Sequence, residues 1–187
     1  VLDIGTPSDG TVTTAKLGSN AVTSAKMFSG FANGITEADQ WRLSANTNTG
    51  TDADVTSNWE RVDTDGFNYI GTGLTETSGI FSFAQTGIYL IIFSARIDAD
   101  AGERLCDFLL KTTTDNSTYD NASVSTVHNR GGSDAFGVST NTFIFDVTDV
   151  TTHKFKFTTS SFGGTSQLIG ATDRVDTGFS VVRLGDT

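Results

Sequence analysis

In His153-Lys154-Phe155-Lys156-Phe157-Thr158, apolar and polar side chains alternate one for one. Successive side chains of a strand point to opposite faces, so this run predicts a strand with one face on a core and one in water. Strand signals recur at short intervals from Val55 to the end of the chain. They predict strands near Trp59–Val62, Gly79–Phe83, Gly87–Ile97, Arg104–Thr112, Ala122–His128, Phe136–Asp146, His153–Thr159, Gln167–Ala171 and Gly178–Leu184. Turns are expected at Thr64-Asp65-Gly66, Asp100-Ala101-Gly102, Thr114-Asp115-Asn116, Arg130-Gly131-Gly132 and Phe162-Gly163-Gly164. Strands in this number, with no helical interruption, predict an all-β sandwich of two sheets.

Two of these strands do not alternate. Gly87-Ile88-Tyr89-Leu90-Ile91-Ile92-Phe93 is apolar on both parities, and Phe179-Ser180-Val181-Val182-Arg183-Leu184 is a milder case. An antiparallel strand in a lone sandwich should keep a wet face, so a second covering surface is required. Another copy of the chain is the simplest supplier, which makes Ile88, Leu90, Ile92, Val182 and Leu184 the expected contact residues between copies. The alternative is that residues 1–54 cover this face within one chain.

Residues 1–54 have a different texture from residues 55–187. They contain the single proline, Pro7, and a short repeat: Val12-Thr13-Thr14-Ala15-Lys16-Leu17 returns as Val22-Thr23-Ser24-Ala25-Lys26-Met27. Such a unit cannot bury its own Val and Leu or Met, and needs copies of itself or another protein to pack on. Ile35–Leu43 reads as one short helix, with Thr36 as N-cap and Trp41 and Leu43 docking. The polar, turn-rich run Ser44–Asp54 reads as a linker. The expected division is therefore an extended N-terminal stalk or attachment segment, 1–54, and a head domain, 55–187. Val1 stands where an initiator methionine would, which reads as a trimmed or partial chain.

The formal charge of -10 argues against nucleic acid, because a polyanion needs a local basic patch and no two of the 12 Lys and Arg residues are adjacent. The longest apolar run, Ile88–Phe93, is far too short for a membrane-spanning helix. Cys106 is the single cysteine, so neither an intrachain disulfide nor a thiolate cage can form; its parity with Phe108 and Leu110 places it in the core. His128 and His153 read as surface or strand-end residues, with no nucleophile elbow in the sequence to accompany them. The stretch Asp98-Ala99-Asp100-Ala101-Gly102-Glu103 invites a calcium reading, because alternate carboxylates can converge on one cation, but Gly102 and Leu109 fall out of step with the helix-loop-helix calcium loop, and a turn is expected instead. The glycine pairs lack the helix and the lysine of a phosphate cradle, so no cofactor is expected. The loops Lys111–Asn121, His128–Ala135 and Ser160–Gln167 offer Tyr119, Arg130 and Phe162 as side chains able to stack on a sugar or pair with an acid.

Gly79-Ile80-Phe81-Ser82-Phe83, followed by Gly87-Ile88-Tyr89 leading into a long apolar strand, resembles the jelly-roll heads of complement globular heads and tumour-necrosis-factor ligands. Thr177-Gly178-Phe179-Ser180-Val181-Val182-Arg183-Leu184 resembles the terminal strand of that family, and Trp59-Glu60-Arg61-Val62 its first. The Gly-Asp-x-Val step common late in the family is replaced by Asp149-Val150-Thr151-Thr152-His153. The resemblance implies a homotrimer with a stalk feeding a compact head. The Val-Thr-x-Ala-Lys-x repeat resembles stalk segments of bacteriophage fibres. Together these imply a non-enzymatic virion protein, a fibre, knob or decoration protein on the particle exterior. Its partners would be its own copies, other virion proteins through residues 1–54, and a host surface glycan or protein. A secreted complement-head-like recognition module and a polysaccharide-degrading spike are the rival readings.

Overall fold

Apolar residues on one parity of many strands can leave water together only if the strands form sheets that face each other. The computed structural model describes residues 34–187, and both copies of the six-residue repeat lie outside the described residues. The described strands are β1 (Ala38–Leu43), β2 (Trp59–Arg61), β3 (Thr75–Thr77), β4 (Ile80–Ser82), β5 (Gly87–Ala99), β6 (Leu105–Thr113), β7 (Asp120–His128), β8 (Ala135–Val147), β9 (Lys154–Ser160), β10 (Gln167–Leu168) and β11 (Gly178–Gly185). One sheet runs β3-β4-β9-β6-β7. In the other, β5 carries β8 along one edge for its whole length. Its other edge takes β11 against Ile88–Ser94 and β10 against Ile97–Asp98. Beyond β11 lie β1 and β2, and every pairing is antiparallel. Among the described residues, no helix is long and apolar enough to cross a membrane.

The core between the sheets is largely aromatic. Phe108 stacks on Phe157 at 4.9 Å between ring centroids, and Phe81 meets Phe179 edge-on at 4.7 Å. Trp41 and Trp59 both close on Phe81. Such offset and edge-on pairs add to the gain from burial alone. Cys106 is fully buried among these residues, as its parity requires. Between β3 and β4 the chain reverses through Ser78 and Gly79, both at positive φ. A two-residue turn of this hand matches the twist of the strands. A Cβ on Gly79 would stand 2.1 Å from the Val55 carbonyl oxygen, so glycine is required there twice over.

Three expectations change. Ile35–Leu43 is not a helix, since Ala38–Leu43 is a strand registered against Val182–Gly178 of β11. The spacing of Trp41 and Leu43, two apart, already has the period of a strand. The polar run to Asp54 is no free linker: Thr47 bridges Leu168 in one sheet and Asp54 bridges Thr158 in the other. The compact unit accordingly spans Ile35–Thr187, so Ile35–Asp54 belongs with the sandwich and not with the N-terminal segment. His153 is also buried, stacked on Phe145 with ring nitrogens near the hydroxyls of Thr148 and Thr152, whereas His128 is exposed as expected.

Candidate functional site

Along β5 burial alternates strictly. Tyr89, Ile91, Phe93, Ala95 and Ile97 enter the core, which turns Ile88, Leu90 and Ile92 to the outer face. The register then sets apolar residues side by side across the sheet. Leu90 lies opposite Ile144 on β8 and Val182 on β11. Val182 in turn lies opposite Ala38 on β1, and Ala38 bridges Ile70. The result is a continuous row, Ile144-Leu90-Val182-Ala38-Ile70, with Ile144 60 % exposed. Ile92, 39 % exposed, sits one step along, flanked by Thr142 and Ser180; Ile88 sits one step back, opposite Asp146. Leu184 is exposed where β11 bulges between Arg183 and Gly185.

Of the five contact residues expected from the sequence, Ile88, Leu90, Ile92 and Val182 thus fall on one face and Leu184 is exposed at the bulge, and the sequence reasoning missed Ile144, Ile70 and the outer side of β8. On that strand Phe136 (63 % exposed) and Val138 continue the apolar outer face. The Arg96 guanidinium covers the Phe136 ring at 5.2 Å and pairs with Asp176 at 3.1 Å. The signal for Ile144 was the pattern Phe143-Ile144-Phe145, apolar on both parities like β5.

The three ligand candidates are not brought together. Phe162 is 4 % exposed and part of the core, its amide donating to Asp52, so it cannot stack on a ligand. Arg130 is exposed beyond β7, where Gly132 bonds the Ala101 carbonyl. Tyr119 belongs to the opposite end of the β6–β7 hairpin, its ring under the Lys156 ammonium at 4.4 Å. Its hydroxyl has no hydrogen-bond partner among the described residues, and burial raises its pKa. Asp100 is a turn residue: its carboxylate accepts from the Gly102 amide and from the Thr165 amide and hydroxyl, which hold it below the usual carboxylate range.

Charge is buried at the β1–β2 edge. Asp39 faces inward and accepts from the Trp41 indole (2.9 Å), the Leu74 amide (2.8 Å) and the Arg61 guanidinium (3.0 Å). Arg42, on the opposite parity and also buried, bonds Glu60, Asp63 and Thr64. Asp39 and Arg42 are each paired with an opposite charge, as burial demands.

No known protein family matches the sequence, and no curated protein matches it. Solved structures do. Eiger, a tumour necrosis factor of S. frugiperda, superposes with a TM-score of 0.64 at 14 % identity, over 82 % of this chain and 96 % of that one. Murine APRIL superposes with a TM-score of 0.57 at 13 % identity, over 79 % of this chain and 98 % of that one. At such identities the likeness speaks for architecture alone. The chain folds as a jelly-roll sandwich like that of tumour-necrosis-factor proteins.

Proposed function

We propose that this chain is a self-assembling structural protein of a phage virion: a homotrimer whose copies meet through the outer face of the β8-β5-β11-β1 sheet. The observation that carries the proposal is the row Ile144-Leu90-Val182-Ala38-Ile70 with Ile92 beside it. Apolar atoms in a registered row, rimmed by Thr142, Ser180, Gln40 and Asp146, have the core-and-rim character of a contact between proteins. With strands about 4.8 Å apart and alternate residues about 7 Å apart, the row and its flanks cover on the order of 200 Å². Each side of a stable interface buries about 800 Å². Phe136, Val138 and Leu184 extend the apolar face toward that size.

The segment before Ile35 joins the trimer to the particle in this reading, supported by its stalk-like repeat, and the head stands outside as a mechanical and adhesive element rather than a catalytic one. Repetition in a trimer turns weak surface contacts into avidity. Replacing both Ile92 and Ile144 with Asp tests the contact. The core faces of β5 and β8 are untouched, so the variant should remain folded and no longer associate. A doubly substituted protein that associates like the parent contradicts the proposal.

A further inference from the structure

Beside β2 the loop Asp63–Ile70 turns through Asp65 and Gly66, both at positive φ, and presents Phe67, Asn68 and Tyr69. Arg61, Val62, Asp63, Phe67, Asn68 and Tyr69 line a groove of 320 Å³, within the range of small-ligand clefts, about 300–1,000 Å³. Arg61 organises it. Its guanidinium is held from inside by Asp39 and the Leu74 carbonyl, lies 5.0 Å from the Trp41 ring, and supports the Tyr69 ring at 4.7 Å. Tyr69 is therefore an aromatic platform backed by a fixed cation, yet 42 % exposed. Its backbone is fixed as well: the Tyr69 amide donates to Asn68 Oδ1, and Ile70 exchanges backbone bonds with Ala38 at 3.0 and 2.9 Å.

We infer that this groove binds neutral carbohydrate, with Tyr69 as the stacking surface. A pyranose ring offers apolar C–H faces to an aromatic ring and hydroxyls to polar groups at its edge, and the groove supplies both. Asn68 keeps its amide NH₂ to donate, since its Oδ1 is engaged by the backbone. Asp63 has Oδ1 on Arg42 and Oδ2 to accept. Arg61 is neutralised by Asp39, so the groove holds no uncommitted cation for a sialate or uronate, and the chain's charge of -10 repels both. The platform is rigid before the ligand arrives, which lowers the entropy cost of binding. Ile70 belongs to the apolar outer row, whereas Tyr69 packs on Arg61, which shares the parity of the inward-facing Trp41.

The inference names a ligand class for the adhesive half of the function proposed above, and its test is independent of assembly. The full chain would be titrated with neutral gluco-, galacto- and manno-oligosaccharides, and with sialylated and uronate oligomers, following Trp fluorescence and amide NMR shifts. Saturable binding of a neutral oligomer is expected, weakened at least about tenfold by Tyr69→Ala and far less by Tyr69→Phe. Asn68→Ala, which keeps the Tyr69 ring and the Ile70–Ala38 backbone bonds, should weaken binding too and covers the case of a Tyr69→Ala chain that does not fold. No binding by any neutral oligomer, preference for the acidic ones, or equal binding by folded Tyr69→Ala would overturn the inference. Sedimentation of the same samples reports assembly separately.

Discussion

Gly137 shows how closely the two edge strands approach. No backbone ladder joins β7 to β8. Ser125 and Ser139 share a hydrogen bond there, and Asn141 reaches the Val124 carbonyl at 2.7 Å. A Cβ on Gly137 would lie 2.2 Å from Val127 Cγ1, so the strands close only because that atom is absent. Gly137→Ala should cost about 1–3 kcal/mol by overpacking. Adding Val127→Ala should return part of the loss, as a double-mutant cycle in urea would measure. Tyr89 ties stability to pH. Burial, and after it the Glu37 carboxylate, push its phenol up to about 12 while the hydroxyl donates to the Gln85 carbonyl. A pKa raised by folding gives stability that is whole below the unfolded value, about 10, and is lost as pH rises through the folded one. Wild-type stability should therefore fall relative to Tyr89→Phe between pH 10 and 12, and parallel curves would remove Tyr89 as the cause.

At the scale of elements, β1 holds its edge of the sandwich through one carboxylate. Asp39 joins β1 to Arg61 on β2 and to the Leu74 amide before β3, with the Trp41 indole between them. Asp39→Ala leaves the Trp41 indole and the Leu74 amide without an acceptor and Arg61 without its counter-charge, and should cost about 3–5 kcal/mol, read by denaturant unfolding. A loss below about 1 kcal/mol would mean that water satisfies the donors equally well. The same strand shows where sequence reading stopped. β5, β9 and β11 were legible because their apolar parities are unbroken or doubled, and each falls within two residues of its expected bounds. In β1 the alternation is interrupted by inward Asp39 and buried Arg42, whose partners Glu60, Asp63, Arg61 and Leu74 lie far along the chain. Nothing local announces them. Phe162 misled for the same reason: a Gly-rich neighbourhood signals a turn, and the core that swallows its ring is built by other segments.

At the scale of the whole molecule, the jelly roll leaves one face of one sheet apolar and uncovered among the described residues. In the function proposed above, residues before Ile35 would attach to the particle and the outer face would meet other copies. Deleting residues 1–34 should leave the melting transition of the head unchanged and remove the protein from purified particles; a truncated head still present on particles would move attachment elsewhere. Sedimentation equilibrium of the wild-type chain reads self-assembly through the outer face. The expected species has three times the 19.8 kDa chain mass, persists at micromolar concentration and falls to one chain mass in Ile92→Asp/Ile144→Asp. A wild-type protein that sediments at a single chain mass across that range would contradict self-assembly.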